Sequence, residues 1–166
     1  MIKRLNFSWI IPNQLATSAL PRCRTDLEWL IITQKVKCLI SLNETPLSKY
    51  IKHFNQLKSE LGFTHHHIPT PDGTGFFLHQ YRKMVDLFIQ QENKPMLIHC
   101  TGGYGRTSTA LVAIWMNICQ LPLTRAIAEL KKIRPQIMLT DIQIDSLRKW
   151  EEVLLSPQSH ENEDLH

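Results

Sequence analysis

Residues 96–108 read Met-Leu-Ile-His-Cys-Thr-Gly-Gly-Tyr-Gly-Arg-Thr-Ser: a short apolar run, three glycines within four positions, then an arginine and two hydroxyl residues opening a helical pattern. Glycines let the backbone turn tightly enough for consecutive N–H groups to point inward. A helix starting there adds its unpaired N–H groups and the positive end of its dipole. Such a segment cradles an anion, and two chemistries use one. A nucleotide-binding loop requires Gly-x-x-x-x-Gly-Lys-Ser/Thr; aligned on Gly105, Thr107 fits, but Arg106 replaces the lysine and Cys100 the first glycine. The second chemistry puts a thiolate at the floor of the cradle, with an arginine six residues on and a hydroxyl residue next. Cys100, Arg106 and Thr107 meet that pattern in full. A cysteine beside a helix N-terminus and an arginine ionises at neutral pH. Thr107 is placed to hydrogen-bond the sulfur, and Arg106 offers a planar fork for two phosphate oxygens. A nucleophile and a phosphate clamp therefore face one site.

His99-Cys100-Thr101-Gly102-Gly103-Tyr104-Gly105-Arg106-Thr107 fits the His-Cys-x-x-Gly-x-x-Arg-Ser/Thr signature of the cysteine-dependent protein tyrosine phosphatases. The chain resembles their small atypical dual-specificity branch from Phe7-Ser8-Trp9 through about Trp150, including Ser41-Leu42-Asn43-Glu44 and the Arg134-Pro135 break. The resemblance implies a phosphomonoester hydrolase that works through a phosphocysteine, needs no cofactor or metal, and acts on phosphotyrosine and phosphoserine or phosphothreonine in proteins. Residues 101–106, Thr101, Gly102, Gly103, Tyr104, Gly105 and Arg106, would then bind the phosphoryl oxygens. RNA 5′-phosphatases and phosphoinositide phosphatases share the chemistry, and a phosphate-binding pseudophosphatase shares the fold. Residues 101–105 hold no lysine, which leans away from highly charged lipids.

The resemblance also implies a carboxylic acid that protonates the leaving oxygen, on a loop roughly thirty residues before the cysteine. In Ile68-Pro69-Thr70-Pro71-Asp72-Gly73-Thr74-Gly75 the carboxylate is Asp72, two residues later than where some members carry it. Asp72-Gly73 also reads as a turn, and Gly73 with Gly75 would let the loop close over substrate. Gln143 stands where members position the attacking water, but Thr140 and Gln143 equally form a capping box. Glu44 either orients Arg106 through a buried ion pair or lies on the surface, and His99 either tunes the nucleophile or is structural. His65-His66-His67 does not suggest a metal site, because neighbours on a strand point to opposite faces and no third ligand is near in sequence.

The elements that position these groups are legible in the apolar pattern. Branched, apolar runs at residues 7–11, 36–42, 63–68 and 96–99 read as strands. Between them, apolar residues at helical spacing predict about six helices. One follows a Thr25/Glu28 capping pattern, and one runs from Leu47 to Leu61 behind Thr45-Pro46. The alternation predicts an α/β domain, a phosphatase-like fold with a central, mostly parallel sheet flanked by helices. The catalytic domain is expected over residues 1–155, filling the chain without a recruiting module, and a polar, disordered tail over 156–166.

At 166 residues one core suffices. Cys23, Cys38, Cys100 and Cys119 show no Cys-x-x-Cys pattern and are expected to be reduced thiols, any of the other three being a possible redox partner of Cys100. No apolar run reaches signal-peptide or membrane-spanning length, so a soluble, cytoplasmic, monomeric protein is expected, with a phosphorylated protein or peptide as its partner and no membrane. The 19 basic against 15 acidic residues leave +4, which suits an anionic substrate. Nucleic acid is not expected, though RNA 5′ ends stay open.

Overall fold

The computed structural model describes residues 4–156. The expected tail therefore lies, from residue 157 on, outside the described residues. Five strands, β1 (Ser8–Ile11), β2 (Leu15–Ser18), β3 (Cys38–Ser41), β4 (Thr64–His67) and β5 (Met96–His99), form one sheet in the order β1-β2-β5-β3-β4. β1 runs antiparallel to β2, and the other pairings are parallel. The α/β expectation of a mostly parallel sheet holds.

Period-two alternation sorts the strand residues into two cores. Cys38, Ile40, Met96 and Ile98 face one side of the sheet, and Ala16, Leu39 and Leu97 face the other. The first side is covered by α3 (Leu78–Ile89), α4 (Gly105–Cys119), α5 (Leu123–Ile133) and α6 (Asp141–Leu155). The second is covered by α1 (Arg24–Glu28), its π-helical continuation Trp29–Thr33, and α2 (Phe54–Leu61). α4 is the central helix: every residue from Arg106 to Ile114 is buried. No single helix among the described residues is long and apolar enough to cross a membrane.

Three local expectations change. β2 is an unanticipated strand; its Leu-Ala-Thr-Ser is buried at all four positions between β1 and β5, so small residues suffice and no alternation marks it. The helix expected from Leu47 to Leu61 is two pieces, a 3-10 turn Leu47–Lys49 and α2, separated by His53 in the left-handed region (φ 56°). Leu47, Ile51, Phe54 and Leu57 keep their helical spacing and stay buried across the break. Thr25 and Glu28 do not cap α1. Glu28 is drawn to Arg24 at 2.6 Å, and Asp26 accepts from the N–H of Arg22 instead.

Register fixes where the site must lie. Ser18 and Ser41 both pair with His99, and Ser41 pairs with His67, so the carboxyl ends of four strands line up along one edge. In open α/β sheets that edge is where ligands bind.

Candidate active site

β5 delivers Cys100 to this edge at 3% exposure, and α4 begins five residues later. Every carbonyl of the intervening loop is anchored from outside. Thr101 O accepts from the N–H of Leu20 at 3.1 Å and Tyr104 O from that of Ser108 at 2.8 Å. Gly102 O takes Asn6 Nδ2 at 3.1 Å, Gly103 O takes Arg134 Nη2 at 2.9 Å, and Gly105 O takes Thr109 Oγ1 at 2.8 Å. With five consecutive carbonyls turned out, the N–H groups turn in. That of Gly103 donates to Cys100 Sγ at 3.3 Å, and those of Thr101, Gly102 and Tyr104 meet no protein acceptor among the described residues. The first-turn N–H groups of α4 complete the ring. Gly103 has no substitute here: its φ is 80°, and a Cβ would fall 2.8 Å from Ser18 O.

Arg106, at 4% exposure, reaches across the cradle. Its Nη1 donates to Thr70 O at 2.8 Å and its Nη2 to Thr101 Oγ1 at 3.1 Å. Its Nε lies 3.3 Å from Asp72 Oδ1, an ion pair without hydrogen-bond alignment. Asp72 is 84% exposed at the mouth, whereas Thr70, two residues earlier, is buried with its carbonyl held by Arg106. The chain thus places a carboxylate beside the arginine at Asp72 despite the two-residue offset.

One supporting role differs from expectation, and another settles on the second of its two alternatives. Thr107 does not bond the sulfur; its Oγ1 is buried without a partner among the described residues, and the Gly103 N–H takes that place. Glu44 forms no ion pair with Arg106. It is exposed, and its carboxylate instead accepts from the N–H of Asp72 at 2.9 Å, because the acid loop passes between them.

His99 is fully buried in a directional chain. Its Nδ1 donates to Cys100 O at 3.2 Å, so its Nε2 must accept from Ser41 Oγ at 2.6 Å, and Ser41 Oγ in turn accepts from His65 Nε2 at 2.8 Å. Burial pushes the His99 imidazole down to about 3, with Arg106, His65 and His67 adding to the effect against the bond to Cys100 O; His65 falls to about 4, mainly through burial. His65 and His67 share a face as expected and stack at 6.5 Å. Among the described residues no three His, Cys, Asp or Glu side chains gather as a metal site.

The acid loop is tied to the start of α6. Thr140 Oγ1 donates to Gly73 O at 2.8 Å, and Gln143 Nε2 donates to Thr74 O at 3.2 Å. The capping box also forms: Gln143 Oε1 accepts from Thr140 N at 3.0 Å and Thr140 Oγ1 from Gln143 N at 3.2 Å. A Cβ on Gly75 would sit 1.9 Å from Ser146 Oγ, so this glycine serves close packing in the observed loop position. Asp72, Tyr104, Gly105, Met138 and Gln143 border a cleft of about 330 Å³ beside the cradle. Its exposed lip is Tyr104 and Met138.

Sequence reasoning marked Arg134 only as a helix break. It is 1% exposed, donates to Gly103 O, Ser8 Oγ and Asn6 O, and its ionisation is lowered by burial but supported by Tyr104 and Cys100. A basic residue immediately before proline at a helix end was the available signal. Of the other cysteines, Cys38 pairs with Met96 at the far end of the sheet, roughly 13 Å from Cys100, and Cys119 ends α4, roughly 20 Å along. Both exceed disulfide reach.

Residues 4–164 match the family model described as "Swiss Army Knife protein, DSP-PTPase phosphatase domain". The mouse dual specificity protein phosphatase CDC14B is 26% identical over 136 residues, 78% of this chain and 28% of that protein, so the chain spans about a quarter of that curated relative. Among solved structures, Tk-PTP in its active form superposes with a TM-score of 0.74 at 26% identity, covering 92% of this chain and 99% of that one. PTPMT1 in complex with PI(5)P gives 0.77 at 20% identity, covering 89% and 96%, a likeness of fold.

Proposed function

The chain belongs to the DSP-PTPase phosphatase family, as a small atypical dual-specificity member of the cysteine-based protein tyrosine phosphatase superfamily, and from that premise we propose that it hydrolyses phosphomonoesters through a phosphocysteine. The observation that carries the reading is Cys100 Sγ on the floor of a ring whose carbonyls are all turned away. Inward N–H groups favour the thiolate and then the three phosphoryl oxygens, whose charge they stabilise without reorganising.

In the first step the Cys100 thiolate attacks phosphorus. The S–P bond forms as the P–O bond to the substrate breaks, and the leaving oxygen takes the proton of Asp72. In the second step water attacks phosphorus, Asp72 takes back a proton, the S–P bond breaks, and inorganic phosphate leaves. Arg106 holds two phosphoryl oxygens bidentately, exchanging its bonds to Thr70 and Thr101 for them. Arg134, Asn6 and Leu20 keep the cradle's carbonyls outward, and His99 fixes the Cys100 carbonyl; these are positioning residues.

Phosphotyrosine and phosphothreonine or phosphoserine in proteins are the proposed substrates, handled by a cytoplasmic monomer. The cleft beside the cradle is lined by no lysine or arginine, and Tyr104 and Met138 form its lip, which suits one phosphate on an organic group better than a polyphosphorylated ring. The test is hydrolysis of p-nitrophenyl phosphate near pH 6, followed by phosphotyrosine peptide, phosphothreonine peptide, phosphoinositide and triphosphate-ended RNA under the same conditions. Cys100→Ser must abolish every activity found. Undiminished hydrolysis by that variant refutes the thiolate reading, and faster turnover of the lipid or RNA refutes the protein substrate.

A further inference from the structure

Gln143 is fully buried, and its amide is committed at both ends. Oε1 accepts from the Thr140 N–H at 3.0 Å, which assigns the orientation of the amide, so the Nε2 side faces Thr74 O at 3.2 Å. The same Nε2 stands 3.2 Å from the point where a Cβ on Gly105 would lie. One side chain therefore bonds the first turn of α6 and the acid loop two residues beyond Asp72, and it borders the first residue of α4 in the cradle, with no room between them for a side chain there.

The loop has few other ties. From Thr70 to Gly75 it is held by Leu42 O at the Thr70 N–H, by Arg106 at Thr70 O and through the 3.3 Å ion pair at Asp72, by exposed Glu44 at the Asp72 N–H, by Thr140 at Gly73 O, and by its packing on Ser146. Of the groups fixing its distal half, Gln143 is the one that also borders the cradle, so together with the Arg106–Asp72 ion pair it sets the separation between Asp72 and the phosphate ring.

We infer that Gln143 is a positioning residue that holds the acid loop against the cradle and so aims Asp72 at the leaving oxygen. This rests on the reading of Asp72 as the acid. Its amide is spent on the loop and the helix cap, in place of the attacking water. A misplaced Asp72 slows the first step for substrates whose leaving oxygen needs a proton, which kcat/KM reports, and as the base it also slows the second step for every substrate; a misplaced water slows the second step alone and leaves kcat/KM unchanged.

The discriminating variant is Gln143→Glu. A glutamate keeps the Oε1 acceptor, and with it the Ser/Thr-x-x-Glu capping box, but it loses the donor to Thr74 O and repels that carbonyl. Its negative charge near the cradle weakens every phosphate substrate similarly, so the ratio of kcat/KM between two substrates isolates the acid. The expected result is a fall in kcat/KM of about tenfold or more on a phosphothreonine peptide. The fall on p-nitrophenyl phosphate should be at most about threefold. In an Asp72→Asn background, Gln143→Glu should leave the kcat/KM ratio where Asp72→Asn alone puts it. Gln143→Met, which fills the volume without polar ends, repeats the pattern should the glutamate melt early.

A nitrophenol burst equal to the enzyme concentration, with an unchanged kcat/KM ratio, overturns the inference and gives Gln143 the water. Wild-type kinetics on both substrates also overturn it. Failure of the underlying reading looks different: Asp72→Asn itself leaves the ratio unchanged, or Cys100→Ser stays active.

Discussion

His99 makes the stability of this fold depend on pH in a way that can be calculated. The folded chain keeps its imidazole neutral down to about 3, because the ring is fully buried and its Nε2 is an acceptor for Ser41. The unfolded chain binds a proton near 6.5. Since the folded value is depressed, this contribution to stability is complete above about pH 6.5 and is lost as pH falls toward 3, at about 1.4 kcal/mol per unit. Between pH 7 and about 4.5 the loss from His99 alone comes to about 2.5 kcal/mol. Carboxylates and His65 titrate in the same range, so the measurement is a difference: urea unfolding by tryptophan fluorescence at both pH values, for the wild type and His99→Asn. Asparagine is uncharged throughout, and its amide can still donate toward Cys100 O. Whatever its absolute stability, its loss on acidification should be smaller than that of the wild type by about 2.5 kcal/mol. Equal losses would mean that His99 is protonated in the fold, and the hydrogen-bond direction through Ser41 would be wrong.

Three further substitutions probe the cradle and its loop. Arg134→Met removes the donors to Gly103 O, Ser8 Oγ and Asn6 O; urea unfolding should show a loss of about 3 kcal/mol, and KM should rise as the loop loosens. Arg106→Lys keeps the charge but loses the fork, so kcat/KM for p-nitrophenyl phosphate should fall by about a hundredfold or more. Gly75→Ala drives a Cβ into Ser146 and should cost about 2–3 kcal/mol in the same unfolding assay. Adding Ser146→Gly should recover part of that cost; adding Ser146→Ala should not, because the Ser146 Cβ itself lies 2.3 Å from the new atom.

The parts of the candidate site legible in sequence are local. Cys100, the glycines and Arg106 lie within seven residues, so strand, turn and helix chemistry alone place them on one cradle. The parts that escaped depend on contacts distant in sequence. Arg134 contacts Asn6 and Ser8 across more than 120 residues, and the link from His65 to His99 passes through Ser41, itself 58 residues from His99. β2 was hidden because a central strand of small residues carries no alternation, and the break at His53 because helical spacing survives one left-handed residue. Glu44 illustrates a different limit: a carboxylate near an arginine in the fold bonded an N–H of the intervening loop instead, and residue type alone does not distinguish the two.

The central claim is that the phosphoryl group passes through Cys100. Rapid quenching of the protein with a phosphotyrosine peptide, followed by mass spectrometry of the denatured chain, tests it directly. The account predicts one phosphoryl group per chain on the peptide containing Cys100, formed faster than inorganic phosphate appears in the steady state and absent in Cys100→Ser. Phosphate release with no label on Cys100, or a label on another residue, would contradict it.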